Sequence, residues 1–130
     1  MIFRDDDIQK GTNIERFIMV DNLFIKHKVI HTIAVITEDL GYNHNLVDYI
    51  NKHSHIDVQL HCHTHIDFSI ANENELRKQF ENGLYILKEC FKVKPTVITS
   101  CTFTGFRINY SISTDFSCPF VLEINGDIYY

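Results

Sequence analysis

Two short runs rich in β-branched residues decide the fold class: VIHTIAVI at residues 29–36 and IDVQLH at residues 56–61. Runs of this length and composition predict buried strands. Around them, apolar residues recur every three or four positions, which predicts helices at 14–28, 45–52 and, most clearly, 73–91. Strands that alternate with helices favour right-handed βαβ units and a parallel sheet. The sequence therefore predicts an α/β fold.

The length limits the size of this fold. The chain has 130 residues, enough for a buried core, and we expect 1–130 to form a single domain. A complete eight-fold barrel needs about 200 residues or more. We therefore expect a partial or distorted (β/α) barrel, whose exposed strand edges could pair with a second copy in a homo-oligomer. The remaining predicted strands lie at 1–4, 96–100, 116–123 and 127–130.

The composition argues against several classes of protein. Twelve basic and 17 acidic residues give a net charge of -5, and the basic ones do not cluster, so we expect no nucleic-acid partner. No apolar run approaches the roughly 18 to 20 residues that span a bilayer. The start, MIFRDDDIQK, lacks the basic end and apolar stretch of a signal peptide, so the expected location is the cytoplasm. There the four widely spaced cysteines would be reduced thiols.

Two polar clusters follow predicted strands. Asp5-Asp6-Asp7 follows the first strand, and HCHTH at 61–65 follows the strand at 56–61. In parallel α/β folds, functional groups gather where strands end. The acidic run could be a solvated strand end, or one carboxylate could bind a metal while a neighbour acts as general base. Two imidazoles and one carboxylate would leave a coordination position open, as a hydrolytic metal site requires.

All eight histidines lie between His27 and His65, and five of them have a structural interpretation. His27 is near a predicted helix end, where a cation suits the helix dipole. His31 lies inside an apolar strand and is expected to be a hydrogen-bonded core residue. The others given no functional role are His44, His53 and His55.

Two segments resemble motifs of a known family. FRDDDI at 3–8 is similar to the first motif of the polysaccharide deacetylases (NodB homology domain), and LHCHTHIDFS at 60–69 is similar to their second. The resemblance implies a barrel of the polysaccharide deacetylase type and a metal-dependent hydrolase that removes N- or O-acetyl groups from a carbohydrate. It implies Asp6 as catalytic base, and Asp7, His61 and His65 as ligands of a divalent metal, with zinc expected. The implied substrate is an N-acetylated carbohydrate.

The second half departs from the family pattern. The region SCTFTGFRIN at 100–109 has no proline, and Arg107 is its only candidate for the family's groove arginine, a substrate-binding role. No histidine follows His65, so the family's late general acid has no counterpart.

Three alternatives therefore stay open at the level of sequence. Asp5 and Asp6, rather than Asp6 and Asp7, could be the functional pair. The chain could also be a degenerate deacetylase-like domain that binds metal or glycan without turnover. The His-x-His pattern at 61–65 also resembles PHP-type phosphoesterases, but these need further histidines downstream, and the chain has none.

Overall fold

A computed structural model describes residues 4–66, 71–92, 122–124 and 127–129. Strands and helices alternate through the first two ranges, and two short strands follow near the end of the chain. The elements are β1 (Arg4–Ile8), α1 (Ile14–His27), β2 (His31–Ile36), α2 (His44–Lys52), β3 (Ile56–Cys62), α3 (Glu73–Phe91), β4 (Leu122–Ile124) and β5 (Asp127–Tyr129), with a 3-10 turn at Leu40–Tyr42.

The first three strands form a parallel sheet in the order β1-β2-β3, as the alternating pattern predicts. Parallel neighbours need crossover connections, and α1 and α2 supply them. β4 and β5 form a separate antiparallel pair. The α/β prediction is confirmed by the small parallel sheet with its helices.

Local capping fixes where the helices begin and end. The Asn13 side chain accepts a hydrogen bond from the backbone of Arg16 at the start of α1, and Lys28 ends that helix in the left-handed conformation. In α3, Asn72 and Glu75 form a reciprocal capping box. The predicted bounds 73–91 are those observed, because this box and the apolar spacing mark the same helix.

The core includes residues from both faces of the sheet, since all but one residue of β2 and all but one of β3 are buried. Val35 of β2 is paired with Leu60 of β3, and both side chains are fully buried. Leu60 lies against α3, where a Cβ built at Gly83 would be 2.8 Å from its Cδ1. Since real Cβ atoms do not approach so closely, the glycine allows α3 to pack directly on β3.

The structure corrects two strand boundaries. β1 does not end in the acidic run but continues through it to Ile8, which pairs with Val35 of β2. The prediction that β2 begins at Val29 is also wrong: Val29 and Ile30 follow the left-handed Lys28 as exposed connecting residues.

Near the end of the chain, the strands predicted at 116–123 and 127–130 are represented by β4 and β5. The strand predicted at 96–100 and Arg107 lie outside the described residues. Within the described part of the chain, no helix is long and apolar enough to cross a membrane.

Candidate metal centre at the carboxyl edge of the sheet

The pleat of β1 separates Asp5 from Asp6. Asp5 is paired with Ile33 on the face that packs against the helices, and its Oδ2 lies 3.8 Å from Nε2 of the buried His31. Asp6 points to the opposite face, as expected for the next residue of a strand. There Arg4 contacts both of its carboxylate oxygens, with Nε–Oδ1 and Nη2–Oδ2 distances of 2.5 and 2.9 Å. The two neighbouring aspartates therefore have different surroundings.

Asp7 is turned by an irregularity at the end of β1. Its φ of 62° lies in the left-handed region, and the register with β2 shifts between Asp5 and Ile8. Such irregularities re-aim a side chain at a strand end. As a result, Asp7 Oδ1 lies 3.2 Å from His61 Nε2 and 3.7 Å from His65 Nε2.

The three side chains differ in burial because of their places in the fold. His61 is a residue of β3 and is almost fully buried. Asp7 lies in the irregular end of β1, His65 lies in the loop after β3, and both side chains are more than half exposed. One buried and two accessible ligands would form a site that is anchored in the sheet and open to solvent.

These atoms are close enough to share one cation. One ligand atom from each of Asp7, His61 and His65 lies within 4.8 Å of the other two. Ligands of tetrahedral zinc, about 2.0–2.1 Å from the metal, lie about 3.3 Å apart. Two imidazole nitrogens and a carboxylate oxygen also suit zinc chemically and leave a fourth position open. The residues present therefore fit a divalent metal.

The loop that carries His65 is attached to the end of β2. The backbone N–H of Glu38 donates to the carbonyl of His63 over 2.8 Å, and Thr37 N–H donates to the carbonyl of Cys62 over 3.0 Å. The Thr37 hydroxyl lies 3.0 Å from His63 Nδ1. The ring of His63 is thus held by Thr37, the residue directly after β2.

A buried polar cluster lies beneath the site, and sequence reasoning missed its centre, Asp21. This carboxylate of α1 is fully buried and accepts hydrogen bonds from His31, Tyr49 and His55, each over 2.8 Å. An acidic residue one turn after the buried Phe17 was the available signal. His31 is a hydrogen-bonded core residue as predicted, whereas His55 has a specific partner that its polar surroundings did not indicate.

The groups of this cluster shift one another's pKa values. Burial would raise the pKa of Asp21, but the hydrogen bonds from His31, Tyr49 and His55 together hold it below its ordinary value. Burial would lower the pKa of His31, but the carboxylates of Asp5 and Asp21 raise it overall. Burial, reinforced by the neighbouring Asp21, raises the pKa of Tyr49 to about 12. The rings of Phe17 and Phe24 stack on the His31 imidazole, at centroid distances of 5.4 and 4.0 Å.

Comparison with solved structures identifies the class of fold. The chain is similar in fold to the CE4-family polysaccharide deacetylases, so the expected resemblance is confirmed at the level of the fold. No protein-family model and no curated protein sequence matches the chain.

Three structures illustrate the likeness. The peptidoglycan deacetylase PdaC from Bacillus subtilis is 20% identical with a TM-score of 0.63, over 75% of this chain and 46% of its own. The peptidoglycan N-acetylglucosamine deacetylase Bc1960 is 24% identical with a TM-score of 0.62, over 73% and 42%. BA3943 from Bacillus anthracis, a CE4-family pseudoenzyme, is 16% identical with a TM-score of 0.64, over 75% and 34%. The chain therefore spans less than half the length of each.

Proposed function

We propose that this chain acts as a metal-dependent carbohydrate deacetylase that removes N- or O-acetyl groups. The observation that carries the proposal is the convergence of Asp7, His61 and His65 at the carboxyl edge of the sheet. These residues would hold a divalent metal, with zinc expected from the donor set. When bound, such a metal supplies Lewis-acid chemistry: it polarises a carbonyl and makes a bound water more acidic.

In this proposal Asp6 is the general base. Its carboxylate belongs to the residue next to the metal ligand Asp7, and the guanidinium of Arg4 fixes its orientation through two contacts. A carboxylate held in this way could accept the proton of the attacking water through its remaining lone pairs. Asp5 is a poorer candidate because it lies on the helix-facing side of β1, near His31.

The substrate we propose is an N-acetylated carbohydrate. The support comes from two of the similar structures, which are peptidoglycan deacetylases, one of them acting on N-acetylglucosamine. Arg107 is proposed to contact this substrate from its similarity to the family's groove arginine.

The test combines bound metal with acetate release. The purified protein is expected to contain one metal equivalent and to release acetate from N-acetylated oligosaccharides until a chelator is added. Asp7→Ala and His61→Ala should each remove the metal. Asp6→Asn should retain it but lower acetate release by about 100-fold or more, the usual effect of losing a general base.

The matched control is Asp48→Asn, which removes a carboxylate from the exposed face of α2 and should change neither quantity. Chelator-insensitive release, or full activity in Asp6→Asn, would contradict these assignments. If Asp5→Asn and not Asp6→Asn abolishes release, the functional pair is Asp5 and Asp6.

A second candidate function is metal or glycan binding without turnover. The observation that favours it is the likeness to BA3943, a pseudoenzyme of which a variant with restored enzymatic activity is also among the similar structures. One equivalent of metal, with no acetate released from any N-acetylated oligosaccharide tested, would support this function over the first.

A further inference from the structure

The proposed metal ligand His65 is exposed, so other residues must hold it in position. The His65 side chain is 55% exposed, and its described contacts are the Asp7 carboxylate at 3.7 Å and the ring of His61. Among the described residues, no hydrogen bond holds the His65 ring. The position of this ligand therefore depends on the backbone that precedes it.

That backbone is held by a side chain of α3. The amide oxygen of Gln79 accepts a hydrogen bond from Thr64 N–H over 2.8 Å, and its Nε2 donates to the Thr64 hydroxyl over 2.5 Å. A backbone N–H can only donate, so the amide orientation is fixed: oxygen toward the N–H and nitrogen toward the hydroxyl. One side chain thus holds the backbone N–H and the hydroxyl of the residue next to His65.

Gln79 can do this because its helix is rigidly attached to the sheet that carries the other ligand. Its neighbour Phe80 is buried, and Gly83, one turn further along α3, lies against Leu60 of β3. Leu60 directly precedes His61. Thr64 likewise directly precedes His65. Helix α3 therefore contacts the residue before each histidine ligand, Leu60 through Gly83 and Thr64 through Gln79.

We infer that Gln79 is a positioning residue for the metal centre: by holding Thr64, it sets the distance of His65 from Asp7 and His61. Thr37 holds the loop at His63, and Gln79 holds it one residue closer to the ligand. Without Gln79, His65 would have to be ordered at the moment of metal binding, and that loss of conformational freedom would weaken affinity. This inference rests on the proposed metal site and adds to it a residue outside the ligand set.

The experiment measures zinc affinity by competition with a chromophoric chelator, together with the free energy of unfolding in urea without metal. Gln79→Ala should weaken zinc binding by about 10-fold or more, the usual effect of removing a residue that orients a metal ligand. Lys78→Ala, an exposed neighbour on the same helix, is the matched control and should leave the affinity unchanged. Gln79→Glu keeps the reach and can accept from both the N–H and the hydroxyl, so it should bind zinc no more weakly than the wild type.

Two further readouts separate positioning from a general loss of stability. Without metal, amide exchange of the 61–66 segment should be faster in Gln79→Ala than in Lys78→Ala. Thr64→Val should weaken zinc binding in the wild type but have no added effect in Gln79→Ala, because both changes act through one contact.

The outcomes distinguish the inference from the proposed function. Equal zinc affinity in Gln79→Ala and the wild type, or additive effects of Gln79→Ala and Thr64→Val, would overturn the inference and leave the metal site intact. Failure of the wild type itself to bind zinc or another divalent metal would overturn the metal site and the inference together.

Discussion

Replacement of Asp21 by asparagine should destabilise the protein more than its position on a helix suggests. The carboxylate is fully buried and accepts three hydrogen bonds of 2.8 Å, from His31, Tyr49 and His55. Hydrogen bonds to a charged group contribute about 1.5–3 kcal/mol each, but they share one acceptor and do not add. Loss of one partner of a buried pair costs about 3–5 kcal/mol. We therefore expect Asp21→Asn to lower the free energy of unfolding by about 3–5 kcal/mol, a large share of the roughly 5–15 kcal/mol of a typical domain.

Urea denaturation followed by far-UV circular dichroism measures this loss, since the chain has no tryptophan for fluorescence. Asp48→Asn, on the exposed face of α2, is the control and should change the free energy of unfolding by less than about 0.5 kcal/mol. Tyr49→Phe removes a single donor and should cost about 1–3 kcal/mol. Through Asp21, α1 contacts His31 of β2 and Tyr49 of α2, and a loss below about 1 kcal/mol in Asp21→Asn would refute a stabilising role for these contacts.

The remaining predictions concern packing, pH and backbone strain. Gly83→Ala should lower the free energy of unfolding by about 1–2 kcal/mol despite its better helix propensity, because the new Cβ meets the buried Leu60; an unchanged urea midpoint would contradict this. The pKa of His31 is raised above 6.5, so the stability it contributes is fully present below pH 6.5 and is lost as the pH rises through the raised value. The pKa of Asp21 is lowered below 3.8, so its contribution is present above pH 3.8 and is lost as the pH falls through the lowered value. Urea midpoints should show both losses in the wild type; His31→Gln should lack the loss at high pH but keep part of the loss at low pH, because Tyr49 and His55 still donate to Asp21, and an unchanged high-pH profile in His31→Gln would refute the assignment. Asp7→Gly should retain or gain up to about 1 kcal/mol of stability, because glycine adopts the positive φ freely, while the protein loses its bound metal; a destabilised variant would show that the carboxylate itself supports the fold.

The helices and inner strands could be predicted from sequence because local and long-range preferences agree in them. In α3, the Asn72 capping box and the apolar spacing mark the same helix, and the predicted bounds are those observed. In β3, the apolar run at 56–61 is covered on both faces and its first residue is that of the observed strand. Because these elements bury a continuous apolar face, the periodicity of their apolar residues predicts them from sequence.

β1 could not be bounded in the same way. Three consecutive aspartates have low strand propensity, and only pairing with β2 makes them part of the sheet. Propensity alone therefore ended the strand too early. The partners of Asp21 could not be predicted either. His31 and His55 lie 10 and 34 residues away from it in the sequence, and only the tertiary fold brings them into contact.

The candidate site was easier to predict in residue type than in geometry. The pattern of aspartates and histidines indicated a metal, but it left open which aspartate belongs with His61 and His65. That choice depends on two backbone properties that composition does not encode: the alternation of β1, which places Asp5 and Asp6 on opposite faces, and the left-handed turn at Asp7. Asn and Asp adopt this turn more readily than other non-glycine residues, so the third aspartate is chemically suited to both its conformation and its proposed role.

The arrangement also explains how metal binding and turnover could be separated in this fold. Of the three proposed ligands, Asp7 belongs to β1, His61 to β3 and His65 to the loop that follows β3. The proposed base, Asp6, belongs to the same strand as one ligand and is held by Arg4, two residues away. The proposed turnover also requires a proton donor for the leaving group, and the described contacts of Asp6, Asp7, His61 and His65 do not include one. The proposed metal site thus needs only residues of β1, β3 and the loop after β3, whereas the proposed turnover also needs a proton donor at the same edge. Measuring metal content and acetate release on the same sample therefore tests two separate physical requirements.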